Sequence, residues 1–254
     1  MIIATWNVNS IRVRLPQVLD WLAQHKPDIL CLQETKVIDS DFPQADFAAF
    51  GYQAALNGQK TYNGVAILSR TAASALQTEL PMLDTEQRRL LAATINGTRV
   101  VNVYVPNGES VESDKYQFKL KWLRALRSYL AQELATHRQL VLLGDFNIAP
   151  EPRDVYDPKT WEGHVLFSEP ERAALRGLAE TGLVDVFRAF PQPDASYTWW
   201  DYRQGGFRRN HGLRIDHILV SAPLAAYCRR CIIDKEPRGL ERPSDHAPVV
   251  ATFD

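Results

Sequence analysis

Asp145 and Asn147 stand two residues apart at the end of the apolar run Leu140-Val141-Leu142-Leu143, just after a glycine. On an extended chain a carboxylate and an amide at that spacing point to the same side. The pattern recurs along the chain. Asn7 closes the run from Ile2 to Trp6, Glu34 follows Ile29-Leu30-Cys31-Leu32-Gln33, and Tyr104 ends the run that starts at Val100. Asp216 and the pair Asp245-His246 instead precede apolar strands. If the two groups of strands run antiparallel, all these side chains gather on one edge of the fold. Carboxylates and amides with one imidazole and no thiolate suit a hard divalent cation, Mg²⁺ with Mn²⁺ as a substitute, and disfavour structural zinc. Such an ion typically serves a phosphate, polarising its oxygen while a neighbouring base activates water. His246 has Asp245 beside it in sequence, and Asp216 is a second carboxylate able to fix its tautomer. A serine-hydrolase triad is the competing chemistry, and no Gly-x-Ser-x-Gly elbow supports it.

The elements that must position these groups are legible from the patterning. Strands are expected over residues 2–6, 29–32, 65–69, 90–95, 100–105, 140–143, 215–220, 227–234 and 249–253, with Asn96-Gly97 as a tight hairpin turn. Helices are expected after Asn9-Ser10 (Ile11, Leu15, Val18, Leu19 and Leu22 on one stripe), over about 113–137, and over about 171–181. Residues 151–170 and 190–213 have little periodicity and read as long structured loops, which in a compact domain are usually functional. Few helices and several hairpins argue against an all-parallel Rossmann winding or barrel. Thr5-Trp6-Asn7-Val8 echoes Asp145-Phe146-Asn147-Ile148. Two such units, their sheets packed face to face, predict a four-layer α/β/β/α sandwich. It would have two mixed sheets, outer helices and pseudo-twofold halves, formed as one domain over residues 1–254.

With 29 Lys and Arg against 30 Asp and Glu, no global field draws a polyanion, so any such partner must meet a local patch. The three cysteines, Cys31, Cys228 and Cys231, are odd in number, which fits a reducing compartment. The Cys228–Cys231 pair lacks the second pair a zinc site needs. No basic leader or long apolar run is present, so a soluble cytoplasmic monomer without a membrane partner is expected, nucleoid-associated when on DNA.

Several blocks in this order resemble the exonuclease III and AP endonuclease class of the endonuclease/exonuclease/phosphatase superfamily. They are Trp6-Asn7-Val8-Asn9, Leu32-Gln33-Glu34-Thr35-Lys36, Asn63-Gly64-Val65-Ala66 and Gln87-Arg88-Arg89. Tyr104 with Pro106-Asn107-Gly108-Glu109-Ser110, and Gly144-Asp145-Phe146-Asn147-Ile148-Ala149-Pro150, continue the series. Trp199-Trp200-Asp201-Tyr202-Arg203, Gly212-Leu213-Arg214-Ile215-Asp216-His217 and Arg242-Pro243-Ser244-Asp245-His246-Ala247-Pro248 complete it. The resemblance implies a Mg²⁺-dependent phosphodiesterase of DNA repair acting on double-stranded DNA, as an abasic-site endonuclease, a 3′ to 5′ exonuclease or a remover of blocked 3′ ends. It implies that Glu34 is the principal metal ligand with Asp245 nearby, and that Asn7 and Asn147 hold the phosphate or a second metal. By the same resemblance Tyr104 touches the scissile phosphate, Asp145 activates water or protonates the leaving oxygen, and Asp216 orients His246.

DNA contact is expected from Lys60, Arg88, Arg89, Lys115, Lys119, Lys121, Arg203, Arg208, Arg209 and Arg214 on loops near this edge. Trp199, Trp200, Leu213 and Ile215 are expected to line a pocket for a flipped, base-free sugar, as the resemblance implies. A bulky residue of the 157–168 loop, such as His164, Leu166 or Phe167, would narrow that pocket and shift activity toward 3′ termini. Two other readings keep the scaffold: a phosphodiesterase for a small phosphoester, and a non-catalytic nucleic-acid-binding regulator.

Overall fold

The computed structural model describes residues 1–254. The chain begins with β1 (Ile2–Asn7), β2 (Ile29–Gln33), β3 (Gln53–Asn57) and β4 (Val65–Ser69). Next come β5 (Ser74–Gln77), β6 (Leu90–Ile95), β7 (Thr98–Tyr104), β8 (Leu140–Asp145) and β9 (Leu183–Asp185). A short ribbon of β10 (Trp199–Trp200) and β11 (Gly212–Leu213) precedes β12 (Asp216–Ser221), β13 (Cys228–Ile233) and β14 (Val249–Phe253). Two six-stranded sheets result, in the orders β13-β14-β1-β2-β4-β3 and β5-β6-β7-β8-β12-β9. Each has one parallel pair, β1 with β2 and β7 with β8, and an antiparallel strand beside it, β14 next to β1 and β12 next to β8. The echo between residues 5–8 and 145–148 is therefore matched by β1 and β8 occupying equivalent places in the two sheets.

The apolar runs are continuous because both faces of each strand are buried. Leu140 and Leu142 pack under helix Asp114–Thr136 with Trp122, Leu123, Leu126 and Leu130, while Val141 and Leu143 face the layer between the sheets. In β1 and β2, Ala4, Trp6, Leu30 and Leu32 face helix Ile11–His25, and Ile3, Ile29 and Cys31 face inward. Alternation along each strand thus builds three apolar layers and four layers of structure, the predicted sandwich. Cys228 and Cys231 are free thiols within the inner layer.

Polar groups also clamp the sheets together close to the edge where the strands end. Gln33 Nε2 donates to Thr5 Oγ1 and Asn102 Oδ1, both at 2.8 Å, and Asn102 Nδ2 donates to the carbonyls of Leu32 and Ala66. These bonds leave little freedom for one sheet to slide over the other. Gly144 has φ +143, and a Cβ there would lie 1.9 Å from the Val103 carbonyl oxygen. Only glycine lets β8 sit this close to β7 immediately before Asp145.

Helix starts depart from expectation in two places. Helix Ile11–His25 has no side-chain cap: Asn9 and Ser10 have φ of 44° and 93°, and the Asn9 side chain is used elsewhere. Helix Glu169–Ala179 starts two residues before the expected position, because Ser168 and Glu171 form a capping box and Pro170 fits the first turn.

A buried charged cluster supports β12 from beneath. Arg214 binds Asp154 through Nε (2.7 Å) and Asp185 through Nη1 (2.8 Å), and Nη1 also donates to His217 Nδ1 at 3.0 Å. His217 Nε2 is then the protonated nitrogen, donating to the Ile148 carbonyl at 2.8 Å. Burial, reinforced by the Arg214 charge, pushes the imidazole down to about 4. An unfolded histidine titrates near 6.5, so between those values the unfolded chain binds the extra proton and stability rises with pH. His217 therefore contributes stability that is complete above about pH 6.5 and lost as pH falls toward 4. We expect the melting temperature to decline across that window, and less steeply in His217→Gln. Parallel curves for the two proteins would contradict this account.

Candidate active site

Three strand ends from two sheets meet at Asn7. Its Nδ2 donates to Glu34 Oε1 at 2.8 Å and to Asp145 Oδ2 at 2.9 Å, so one buried amide bridges carboxylates on β2's exit and on β8. Glu34 has φ 51°, an uncommon value for a non-glycine residue; the Ser10 N–H bonds its carbonyl. Lys36 lies 2.9 Å from Glu34 Oε2 and also donates to Asn9 Oδ1. Asn9 in turn donates to Asp245 Oδ1 at 3.0 Å, and Trp199 Nε1 donates to the other Asp245 oxygen at 3.0 Å.

Asp216 and Asp145 are cross-strand partners in the β8–β12 pairing, which brings His246 between them. His246 Nδ1 bonds Asp216 Oδ2 at 2.9 Å and Nε2 faces Asp145 Oδ2 at 3.7 Å. The loop carrying His246 is pinned by Ser244 Oγ donating to the Asn7 carbonyl and by Trp6 Nε1 donating to the His246 carbonyl. Thr198 Oγ1 accepts from the N–H groups of Ile215 and Asp216, which fixes the start of β12. Oδ1 of Asp216 is buried without a hydrogen-bond partner.

Asp145 and Asn147 do converge, though not by extension. Asn147 has φ 50°, and its N–H turns back onto Asp145 Oδ1 at 2.9 Å, a local turn closed by the aspartate. Its side chain donates to the Val105 carbonyl and accepts from Asn107 Nδ2 at 3.1 Å. The Arg89 guanidinium lies 4.5 Å from the centre of the Tyr104 ring.

Burial sets the electrostatics. It pushes the Tyr104 phenol well above its ordinary value, and the Glu34 charge adds to that, so the hydroxyl keeps its proton. Burial would also raise Glu34, but the Lys36 ammonium and the Asn7 amide hold it below the usual carboxylate range. Asp145 is pushed up to about 7 by burial and by the Asp216 and Glu34 charges, against the pull of His246. Burial pulls His246 down, yet the Asp216 and Asp145 carboxylates outweigh it and raise the imidazole to about 10. Ligand atoms of Glu34, Asp145 and His246 lie within 4.8 Å of one another. The Glu34 and Asp145 carboxylates, with no thiolate beside them, offer oxygen donors that fit a hard divalent cation, while the protonated His246 faces the same space.

A profile of the endonuclease/exonuclease/phosphatase family matches residues 4–246. The chain belongs to this family. It is 36% identical to exodeoxyribonuclease III of Haemophilus influenzae, with 98% of each protein covered. Among solved structures it is similar to a 3′ phosphatase from Neisseria bound to product DNA hairpin (50% identity, TM-score 0.98, covering 100% of this chain and 99% of that one). It is likewise similar to an AP endonuclease from Archaeoglobus fulgidus (44% identity, TM-score 0.96, covering 100% and 99%). These matches place it in the exonuclease III and AP endonuclease class of the endonuclease/exonuclease/phosphatase family, with the family's two mixed sheets flanked by helices.

Of the residues expected as metal ligands, Glu34, Asn7, Asp145 and Asn147 form one hydrogen-bonded chain. Asp245 joins it through Asn9, and His246 faces the same space from beside Asp145. Asn9, Lys36, Asn107, Thr198 and Ser244 were not anticipated as site residues. Asn9 and Lys36 each lie two residues beyond Asn7 and Glu34, the same spacing that drew attention to Asn147.

Two expected DNA contacts are corrected. Lys119 is fully buried in an ion pair with Glu171, and Arg214 is 1% exposed between Asp154 and Asp185, so neither reaches a backbone phosphate. Arg89 is committed to the Tyr104 ring, while Arg88, Lys115 and Arg203 are paired with Glu79, Glu109 and Asp201. Lys60, Lys121, Arg208 and Arg209 are exposed.

The expected sugar pocket is also corrected. Trp200, Leu213 and Ile215 are core side chains. Leu213 and Ile215 pack with Ala149, Val155, Leu166 and Phe167, and Trp161, Val165 and Trp199 cover that cluster. Trp200 packs separately with Tyr197 and Ala247. Leu166 and Phe167 thus fill the Leu213 and Ile215 side of Trp199, whose other side lines an open cavity of about 340 Å³ with Trp161, Tyr156 and His211; His164, the third bulky residue of that loop, is exposed.

Proposed function

We propose that this DNA repair nuclease hydrolyses phosphoester bonds at the 3′ termini of duplex DNA, as a monomer using Mg²⁺, and incises abasic sites poorly. The observation that carries the choice between the two activities is the burial of Leu166 (5% exposed) and Phe167 (0%) against Leu213 and Ile215. A sugar flipped out of a duplex needs an open recess. A terminal phosphate needs only the Asn7, Glu34, Asp145 and His246 cluster. The Neisseria 3′ phosphatase is the relative that this reading matches.

Glu34, held ionised, would be the principal holder of the cation, with Asp145, Asn7, Asn147 and Asp245 as neighbouring oxygen donors. The bound cation would polarise the phosphoryl oxygen and offset charge developing on it. His246, protonated and aligned by Asp216, presents its Nε2–H to a phosphate oxygen. Tyr104 retains a hydroxyl proton with which to bind another. Asp145, whose carboxyl burial pushes upward, would accept a proton from the attacking water. Asn7 and Asn147 keep the Asp145 carboxylate in place. Because Glu34, Asp145 and His246 are all present and mutually placed, a catalytically silent regulator is not favoured. No helix is long and apolar enough to cross a membrane.

The test is to incubate the protein with Mg²⁺ and three duplexes, carrying a 3′-phosphate, a recessed 3′-hydroxyl or an internal abasic site. We expect chelator-sensitive release at the two 3′ ends and abasic incision slower by about 10²-fold, a steric discrimination. Abasic incision as fast as phosphate release would overturn the preference, and no turnover on any duplex would overturn the reading entirely.

A further inference from the structure

We propose that the buried ion pair Lys119–Glu171 is a specificity latch, holding the loop that fills the sugar pocket to the loops that present Asn107 and Asn147. The inference rests on the 3′-end reading above and extends it to what enforces that preference.

The Lys119 ammonium is fully buried and each of its three N–H groups has one acceptor. These are the Asn147 carbonyl at 2.7 Å, the Asn107 carbonyl at 3.0 Å, and Glu171 Oε1 at 2.5 Å. On the other side, Glu171 Oε1 accepts from the Leu166 N–H at 3.1 Å, while Oε2 accepts from the Ser168 N–H at 3.0 Å and from the Ser168 hydroxyl. Tyr116, one turn before Lys119 on the same helix, bonds that hydroxyl at 2.6 Å. Leu166 has φ 76°, a left-handed conformation that a branched side chain holds only when its surroundings enforce it. Its carbonyl accepts from the Ala149 N–H at 2.8 Å, two residues beyond Asn147.

A buried ion pair is weak evidence of stabilisation, since apolar residues of similar volume often serve the core as well. What apolar residues would not supply is this set of directed bonds. The ammonium fixes two carbonyls whose residues carry Asn147 and Asn107, themselves joined at 3.1 Å next to Asp145. The carboxylate fixes the backbone that drives Leu166 and Phe167 into the cluster with Leu213 and Ile215. Lys119 and Glu171 are thus positioning residues with two outputs of opposite consequence. Loss of the latch loosens the Asn107 and Asn147 amides beside Asp145 and unplugs the pocket.

The experiment compares the ratio of abasic incision to 3′-phosphate release in wild type, Phe167→Ala, Glu171→Gln and Lys119→Met, with kcat and KM measured separately. In Phe167→Ala we expect abasic incision to rise. In Glu171→Gln and Lys119→Met we expect the ratio of abasic incision to phosphate release to rise, because the unplugged pocket helps only the abasic substrate, while kcat for phosphate release falls about 10²-fold, the scale for an ångström of misplacement. The ratio does not depend on how much protein is folded. A latch that is merely structural scales both activities together, and an unchanged ratio in the two ion-pair variants overturns the proposal. If Phe167→Ala gains no abasic incision, the pocket reading fails and the latch fails with it. Should the ion-pair variants not accumulate, Ser168→Ala removes one donor to Glu171, leaves the ion pair, and must shift the same ratio in the same direction. No shift there overturns the proposal equally.

Discussion

His246→Ala is expected to lower kcat by about 10²- to 10⁴-fold, the loss typical of a positioned acid or base, and also to lower the melting temperature, because Asp216 is left buried without its partner. The ring is held by a 2.9 Å bond to Asp216 and its other nitrogen looks into the cluster, 3.7 Å from Asp145. Nothing else nearby offers a proton in that place, since Lys36 is bound to Glu34 and Asn9 and Arg89 lies over Tyr104. Asp216→Asn keeps an acceptor for Nδ1 but removes the charge that outweighs burial at His246, so a smaller loss is expected there. Because Asp216 acts through the imidazole, the double variant should be barely slower than His246→Ala alone, as for residues that work as a unit. Single-turnover rates on a 3′-phosphate duplex decide it. Near-wild-type turnover in His246→Ala refutes the role, and additive losses in the double variant refute the dependence of one on the other.

Much of this arrangement was readable from the chain because burial on both strand faces leaves a continuous apolar run, and a polar residue that ends such a run stands out. Asn7, Glu34, Tyr104 and Asp145 stand out in that way and Asp216 by preceding such a run, and the antiparallel pairing of β8 with β12 brings Asp216 opposite Asp145. Backbone sign was not readable: Asn147 reaches Asp145 through φ 50°, which spacing alone cannot distinguish from an extended strand. Lys119, expected as a DNA contact, is instead buried with Glu171, because a basic residue near a functional edge serves the interior as readily as a phosphate when a partner is supplied. Its helical position agrees with burial, for it shares the buried stripe of Tyr116, Trp122, Leu123 and Leu126. The partner that makes burial tolerable, Glu171, is 52 residues away in sequence, and no local pattern links the two. Leu213 and Ile215 fill the space that the resemblance implies they line, because an apolar side chain beside a catalytic residue does either with equal ease. Only the path of the 157–168 loop decides between these, and that path depends on the Leu166 and Ser168 bonds to Glu171.

Glu34→Gln is expected to raise the Mg²⁺ or Mn²⁺ concentration needed for half-maximal turnover by at least about 10²-fold, because substitution even of groups behind a metal ligand commonly costs 10- to 100-fold in affinity. The replacement is nearly isosteric, and its amide oxygen still accepts from Asn7 Nδ2, so the 2.8 Å bond that orders the cluster has a counterpart. What disappears is a carboxylate held ionised against burial by Lys36 and Asn7. The site then has one negative charge fewer to offer a divalent ion, while Lys36, now without its partner, adds repulsion. Both changes act on metal affinity more than on the reacting groups, since His246, Asp216 and Tyr104 keep their own hydrogen bonds and stacking. Turnover should therefore recover in large part at high metal concentration, which separates this variant from His246→Ala, whose deficit no amount of metal repairs. Calorimetric titration of the cation into the DNA-free protein reads the affinity without recourse to activity. Equal metal affinity in the two proteins would remove Glu34 as the principal ligand and shift that part to Asp145 and its amide neighbours.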